Sequence, residues 1–390
     1  MAAGSRYDAD AMDLGSGTPA DPARRRWLAA GGAALAASAL PPLAVAGNAA
    51  VAGAGVATPI RLDLNESNYG PSPKVAPAIA RAVAQAPRYV AAAQLDALQA
   101  QIAAYEGLAP EQVIVGEVLE ELGRYLAIDR GPGGFVYSVP GYGALVDAAR
   151  PFGGRPVEVP LDARLENDLP ALAAAVGADT RALYLVNPHN PSGTLSEREA
   201  FDALLRQAAA RTQVVVDEAY LEYQDDFAQR SAVRLLRAGV PLVVFRTFGK
   251  IHALAGLQIG YALAPRALAD ALRARGVGGA HAQNQLSLAA ASAALADTAH
   301  VAQVRRATQV ERARWLAVLD DLGLRYAQPA GNFVFFDAGR PQEQVAAALL
   351  ARGVRVARAF PPYASWVRIS VGLAQENRRA QQALRAVLAG

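Results

Sequence analysis

Three apolar runs of the sequence each lead into polar residues that could take part in catalysis. The first run ends at Val186 and continues into a turn that contains Asn190, the second ends directly before Asp217, and the third is followed after a few residues by Lys250. Continuous apolar runs of this length predict strands that are buried on both faces of a sheet. Because ligands bind beyond the carboxyl ends of strands in open α/β sheets, we expect these three side chains to share one site.

An amine, a carboxylate and an amide at one sheet edge meet the needs of a pyridoxal phosphate (PLP) site. A lysine can form a Schiff base with the aldehyde of this cofactor, and an aspartate can pair with its pyridinium nitrogen, so that the ring withdraws electrons. Two prolines flank Asn190 and predict a rigid turn that holds its amide. Taken alone, each residue has a simpler interpretation as a helix cap, a turn or a surface charge. Their combination favours the cofactor site.

The elements that must position these residues alternate between strands and helices. A helix with apolar residues at helical spacing is predicted to end at Gly107. Buried strands are predicted at residues 113–115, 135–139, 182–186, 214–216 and 242–245. Strands of this kind between helices indicate an α/β fold with a mostly parallel sheet that is flanked by helices.

The pattern changes after about residue 270 and predicts a second, smaller α/β domain. A long helix is predicted over residues 298–322, followed by short strands at 333–336, 354–357 and 367–371. A chain of 390 residues is also too long for one core. We therefore divide it into a signal segment (1–46), a linker and N-terminal arm (47–75), a large PLP-binding domain (76–270) and a small C-terminal domain (271–390).

The composition argues against several classes of protein. The charged share is 19%, the apolar share is 53% and the net charge is +3, which gives no case for disorder, nucleic-acid binding or a membrane surface. The chain has no cysteine, and its four histidines lack metal-ligand spacing, so no metal site is predicted. Of the 38 basic residues only Lys74 and Lys250 are lysines. We interpret Lys74 as a solvated surface residue, whereas a lysine kept at position 250 indicates that its amine is needed.

The first 46 residues are typical of a bacterial export signal. Arg24, Arg25 and Arg26 precede a Gly/Ala/Leu stretch, two prolines end it, and small residues follow that would suit cleavage. The apolar run is about 13 residues long and is too short for a stable membrane span. We expect periplasmic localisation through the twin-arginine route. The alternative is an arginine-rich disordered tail on a cytoplasmic protein.

Several segments of the chain resemble class I/II aminotransferases, and in particular their histidinol-phosphate aminotransferase branch. The matching segments follow the family's order over about residues 60–388 and lie at 64–73, 187–194, 217–220, 246–250, 254–257 and 368–372. The resemblance implies a fold-type I PLP-transferase, with a large domain built on a mostly parallel sheet and a smaller α/β C-terminal domain. It also implies a homodimer.

The resemblance also implies roles for the residues that bind the cofactor. Lys250 resembles the Schiff-base lysine, which also acts as general acid and base. Asp217 resembles the partner of the pyridine nitrogen. Tyr220 and Asn190 resemble the groups that bond the phenolic oxygen of the cofactor. Tyr142 matches the aromatic residue that stacks on the ring.

Further matches concern the phosphate of the cofactor and the substrate. Thr247 is a remaining phosphate donor, and Tyr89 is placed like the tyrosine that reaches the cofactor phosphate of the partner subunit. Arg368 matches the arginine that clamps the α-carboxylate of the substrate, a bidentate task that suits a guanidinium. Tyr69 and Asn65 belong to the N-terminal arm over the substrate.

The sequence departs from the family pattern where the cofactor phosphate is expected. Val118 and Leu119 stand in place of a Gly-Ser pair, Gly249 in place of a serine and Gln258 in place of an arginine. Each lost charge-assisted contact is worth roughly 1.5–3 kcal/mol, so the affinity for PLP is expected to fall. Glu117, Glu120 and Glu121 add negative charge there, which makes the electrostatic potential less favourable for a dianion.

Two functional hypotheses follow from these residues. The first is a PLP-dependent aminotransferase that moves an amino group between an amino acid, or an amine resembling an amino alcohol phosphate, and a 2-oxo acid. The second is a fold-type I relative with a degenerate phosphate cradle, acting as a binding protein or as a lyase or racemase. Lys250 and Asp217 together favour catalysis. Arg355 and Arg358 could meet an acidic substrate group, but we interpret them as a solvated strand edge.

Overall fold

A seven-stranded sheet forms the centre of the computed structural model, which describes residues 58–389. The strands of the whole chain are β1 (Ile60–Leu62), β2 (Val113–Val115), β3 (Gly133–Val139), β4 (Gly154–Pro160), β5 (Thr180–Val186), β6 (Gln213–Asp217), β7 (Leu242–Thr247), β8 (Gly260–Leu263), β9 (Phe333–Asp337), β10 (Val354–Val356) and β11 (Trp366–Ser370). The central sheet has the order β2-β8-β7-β6-β5-β3-β4, in which β8 alone runs antiparallel to its neighbours. The predicted α/β fold with a mostly parallel sheet is therefore confirmed.

Helices cover both faces of this sheet, because its inner strands are apolar on both sides. The helices are α1 (Val75–Val83), α2 (Ala92–Glu106), α3 (Val118–Asp129), α4 (Ala144–Ala149), α5 (Leu169–Ala175), α6 (Arg198–Ala209), α7 (Phe227–Arg230), α8 (Val233–Arg237), α9 (Arg266–Arg273), α10 (Gln285–Leu295), α11 (Thr298–Asp321), α12 (Gln342–Ala351) and α13 (Ala374–Ala389). Along β6, Val214 and Val216 pack into one core cluster and Val215 into another on the opposite face. A strand buried on both faces places its carboxyl end at a dry sheet edge.

Two strands of the central sheet were missed by the apolar-run criterion. β4 is an edge strand with two prolines and several solvent-facing residues, and edge strands tolerate both. β8 has only four residues and begins at Gly260, where a side chain would collide with the carbonyl oxygen of Arg246 at 2.6 Å. Both strands begin at glycine, and β4 is also interrupted by Arg155 and Glu158, so neither shows the uninterrupted apolar run of β5 to β7.

The C-terminal part of the chain forms two further two-stranded sheets. β9 and β11 pair antiparallel, and β1 from the N-terminal arm pairs in parallel with β10. Trp315 of α11, Phe336 of β9 and Ile369 of β11 share one buried core cluster with Leu62 of β1. The long helix and the three strands predicted here are present, whereas the division of the chain at residue 270 stays a prediction.

Within residues 58–389, no helix is both long and apolar enough to cross a membrane. The proposed signal segment at 1–46 and the linker that follows it lie outside the described residues.

Candidate active site

A cavity of about 870 Å³ lies beyond the carboxyl ends of β5, β6 and β7. It brings together eight of the ten residues predicted for the site: Asn65, Tyr142, Asn190, Asp217, Tyr220, Thr247, Lys250 and Arg368. Strand register explains this convergence, because Val186 lies opposite Asp217 and Asp217 lies opposite Phe245. The three strand ends therefore open onto one space.

Asp217 is a buried carboxylate at the floor of this cavity, with 2% of its surface exposed. The Tyr184 hydroxyl donates to Asp217 Oδ2 at 3.1 Å, and the Ala219 N–H donates to Oδ1 at 3.0 Å. Burial raises the pKa of Asp217 to about 6, although these two hydrogen bonds and the Lys250 ammonium act to lower it. A cationic ring nitrogen would supply the close positive partner that this carboxylate lacks.

Lys250 projects from the turn after β7 towards the N-terminal arm. Its Nζ donates to the carbonyl oxygen of Leu64 at 3.1 Å and lies 5.6 Å from the centre of the Tyr220 ring. The amine is thus held by one neutral acceptor at the cavity, where a carbonyl compound can reach it.

The Tyr220 hydroxyl is oriented by two amides. Asn190 Nδ2 donates to it at 3.4 Å and Asn65 Nδ2 at 3.3 Å. A hydroxyl that accepts two hydrogen bonds keeps its own proton free to donate. Tyr220 therefore offers a directed O–H donor to a ligand oxygen in the cavity.

Arg368 supplies a buried cation from the strand β11. Its guanidinium donates to Asn190 Oδ1 and to the carbonyl oxygen of Asp63, while its buried Nε has no partner among the described residues. Its Cζ lies 5.5 Å from the Phe333 ring centre and 5.0 Å from that of Phe360. Burial lowers the pKa of Arg368 to about 10, so the group stays charged at neutral pH. An unpaired cation of this kind favours an anionic substrate group.

Two predicted residues do not line the cavity. Tyr69 packs against the buried cluster of Tyr220, Tyr223 and Phe333, and burial, with Glu311 and Glu376 nearby, raises the pKa of Tyr69 to about 12. Tyr89 is 85% exposed, and its ring lies edge-on to His281 at 5.5 Å. The roles predicted for these tyrosines stay predictions.

The cavity also contains residues that the sequence motifs did not assign. Arg358 lies on its wall with the guanidinium 4.6 Å above the Phe360 ring, whereas Arg355 faces Arg61 across the β1–β10 pair and is not part of the wall. Phe360 was not singled out, because a phenylalanine before two prolines carries no signal that separates a site from a core.

One side of the cavity, which we call the α3 wall, is formed by Glu117, Leu119, Thr247, Gly249 and Gln258. Backbone hydrogen bonds join its three segments, from the Gly116 N–H to the Gly260 carbonyl (2.8 Å) and from the Phe248 N–H to the Ile259 carbonyl (3.0 Å). Val118, next to this wall, is buried in the core beneath α3.

The Thr247 hydroxyl on this wall already accepts a hydrogen bond from the Gly249 N–H at 3.0 Å. A Cβ at Gly249 would approach that hydroxyl to 3.2 Å, so a side chain there fits only tightly. The residues of the cavity fit the ring and aldehyde of PLP, and the five residues of the α3 wall include one carboxylate and no cation.

A mostly parallel α/β sheet with a lysine, a buried aspartate and a hydrogen-bonded tyrosine at its strand ends defines a PLP-dependent enzyme of fold type I. The chain belongs to the class I and II aminotransferase family, whose model matches residues 57–384. Amino transfer is therefore its activity, and the alternative of a binding protein, lyase or racemase is not favoured.

Individual relatives agree with this assignment. The chain is 34% identical over 341 residues to the histidinol-phosphate aminotransferase of Moorella thermoacetica, covering 86% of this chain and 87% of the relative. It is 36% identical over 337 residues to that of Symbiobacterium thermophilum, covering 84% and 90%. The crystal structure of the Sinorhizobium meliloti histidinol-phosphate aminotransferase in complex with pyridoxal-5'-phosphate matches with a TM-score of 0.75 and 29% identity, covering 85% of this chain and 91% of that one.

Proposed function

We propose that the protein moves an amino group between an amino acid, or an amine resembling an amino alcohol phosphate, and a 2-oxo acid, with PLP as its cofactor. The observation that carries this proposal is the convergence of Lys250, Asp217 and Arg368 on one cavity. When bound, PLP supplies an electron sink for the negative charge that develops at the α-carbon of the substrate.

The side chains divide the work between them. Lys250 Nζ accepts the proton from the α-carbon of the substrate and delivers it again, as a positioned general base and acid. With PLP bound, Asp217 would hold the cationic ring nitrogen, Tyr220 would donate its O–H to the phenolic oxygen, and Tyr142 would stack on the ring. Arg368 binds the anionic group next to the reacting carbon and so orients that carbon.

A screen of amino donors tests this function. The purified protein with added PLP is offered glutamate, aromatic amino acids, histidinol and histidinol phosphate, each with 2-oxoglutarate or pyruvate as acceptor. We expect amino transfer with at least one pair, and histidinol phosphate is included because the relatives are histidinol-phosphate aminotransferases. Failure with every pair would refute the proposal.

Replacing Arg368 by glutamine is expected to raise the KM for an α-amino acid by about 10- to 100-fold, because a charge-assisted pair to the carboxylate is worth roughly 1.5–3 kcal/mol. Arg368→Lys should recover only part of the loss, since an ammonium cannot make the bidentate contact. Steady-state kinetics give both values. Arg355→Gln, outside the cavity, serves as the control, and an unchanged KM in Arg368→Gln would contradict the assigned role.

We propose that the active form is a homodimer in which Tyr89 contacts the partner subunit. The high exposure of the Tyr89 ring on a single chain supports this arrangement, because large aromatic side chains of this kind are enriched at interfaces. Light scattering should give twice the mass of the chain, and a monomer at micromolar concentration would argue against the dimer.

For localisation we propose twin-arginine export to the periplasm, supported by the arginine run and the apolar stretch within residues 1–46. In a bacterial host, the Arg25→Lys/Arg26→Lys double variant should stay in the cytoplasm while the unchanged chain reaches the periplasm. Equal distribution of the two chains would contradict the proposal.

The phosphate contacts of PLP are proposed to be fewer than is usual for the family. Thr247, Tyr89 of a second subunit and backbone N–H groups at the start of α3 remain as donors, while Val118, Leu119, Gly249 and Gln258 supply no hydroxyl or cation. This departure is the starting point of the inference that follows.

A further inference from the structure

The α3 wall presents a carboxylate to the cavity. Glu117 lines the cavity and precedes α3 without making a capping hydrogen bond to that helix. Loss of hydration raises the pKa of Glu117, the Glu120 carboxylate adds to this rise, and the Lys250 ammonium opposes it. A dianionic group beside Glu117 would add a further like charge at close range.

The start of α3 offers little compensation for that charge. The N-terminus of a helix attracts anions through its free N–H groups and its dipole. Here the Val118 N–H already donates to the Gly116 carbonyl at 3.0 Å, and Glu120 and Glu121 occupy the first turn. Because the single guanidinium of Arg124 pairs with both carboxylates, this turn keeps a net negative charge, which offsets part of the positive potential that would otherwise favour a phosphate.

The arginines of the cavity are either paired with carboxylates or lie on its other side. Arg124 pairs with Glu120 at 3.1 Å and also with Glu121. Arg358 and Arg368 both stack on Phe360, on the side formed by β10 and β11. None of the five residues of the α3 wall carries a positive charge, and Gln258, with φ at 48°, is a neutral amide.

We propose that the protein recognises its cofactor through the pyridine ring and the aldehyde, with little selection for the phosphate, and that Glu117 sets this weak selection. The ligand class is therefore a pyridoxal aldehyde with or without a phosphate. This inference rests on the proposed function, because the same ring site is used. The inference follows from a contrast between two sides of the cavity. Asp217 and Tyr220 offer partners to a pyridine ring and its phenolic oxygen, whereas the α3 wall carries a carboxylate and no cation.

Two titrations of the full-length protein test the proposal, one with PLP and one with 5-deoxypyridoxal, which lacks the phosphate and cannot form the internal hemiacetal of pyridoxal. The visible absorbance of the bound aldehyde reports the Kd of each. We expect the two Kd values to differ by less than about 10-fold, because the donors that remain for the phosphate are uncharged and the Glu117 carboxylate opposes them.

Two variants should restore selection for the phosphate. Glu117→Gln removes the like charge, and Gln258→Arg adds a cation at a position that already has a long side chain. Each is expected to tighten PLP by about 10-fold or more, while the Kd of 5-deoxypyridoxal changes by less than about 2-fold. Glu111→Gln, an equal change of charge outside the cavity, and Gln258→Met, of similar length without charge, are the matched controls.

The proposal is overturned if unchanged protein prefers PLP over 5-deoxypyridoxal by more than about 10-fold, or if both Glu117→Gln and Gln258→Arg leave that preference as it was. If neither PLP nor 5-deoxypyridoxal gives a visible absorbance band, the proposed function is overturned as well. The failure of the proposed function can therefore be distinguished from the failure of this inference alone.

Discussion

Replacing Lys250 by alanine should reduce amino transfer by about 10⁴-fold and remove the visible absorbance that appears when PLP is added. Loss of a positioned general acid and base costs about 10²–10⁴-fold by itself, and loss of the nucleophilic amine adds to it. The backbone of the turn has few reasons to change, since the Lys250 side chain makes one hydrogen bond, to the carbonyl oxygen of Leu64. Initial rates and an absorbance scan measure the two effects.

Conversion of each of the two lysines to arginine provides the sharpest control. Lys74→Arg should keep full activity, because Lys74 is 58% exposed and makes only a 3.6 Å ion pair with Asp297, which a guanidinium can replace. Lys250→Arg should be as inactive as the alanine variant, since a guanidinium stays protonated and does not condense with an aldehyde. Activity in Lys250→Arg within about 10-fold of the unchanged protein would rule out the role assigned to this amine.

Replacing Asp217 by asparagine is expected to separate activity from stability. Amino transfer should fall by about 10²–10³-fold, the usual cost of removing one preorganised electrostatic contact at a reacting group. The cofactor-free variant should nevertheless be more stable than unchanged protein at pH 8, because asparagine stays neutral and the buried carboxylate does not. Chemical denaturation at two pH values and kinetics with saturating PLP measure both quantities.

The sign of this stability effect follows from the pKa of Asp217. Burial raises that pKa from 3.8 to about 6, so the folded protein favours the protonated form. The stabilising contribution of the proton is complete below pH 3.8 and is lost as the pH rises through about 6. The rise of this pKa from 3.8 to about 6 corresponds to about 3 kcal/mol. The advantage of Asp217→Asn should therefore reach about 2–3 kcal/mol at pH 8 and nearly vanish at pH 4. An advantage that does not change with pH would contradict this account.

Much of the fold could be predicted because its inner strands are continuous apolar runs. The runs that form β5, β6 and β7 remove their apolar side chains from water by burial on both faces of a sheet. Strand order, by contrast, depends on helix packing and on the antiparallel strand β8 between β2 and β7. The sequence does not predict β8, because this strand has only four residues and begins at Gly260.

The site could be predicted where its residues follow strands, and less well where it depends on contacts between distant segments. Asn190 binds Arg368 across 178 positions of the chain, and Asn65 reaches Tyr220 across 155. The sequence also does not show that Arg246, on the strand β7 that leads to Lys250, is 2% exposed and pairs with Glu218 at 2.9 Å. A motif names residue types, but it does not show which of them will be buried together.

The pairing of β1 with β10 places the first strand of the described residues beside a strand that follows almost 300 positions later. The Asn65 N–H donates to the Ser370 hydroxyl, 305 positions later. At a synthesis rate of about 5–20 residues per second, the ribosome makes Ser370 roughly 15–60 s after Asn65. A nascent chain therefore holds its lysine and aspartate for some time before the arm, β10 and β11 can close around them. Chains that terminate before β10 lack the partner strand of β1 and the Ser370 hydroxyl that holds the Asn65 backbone.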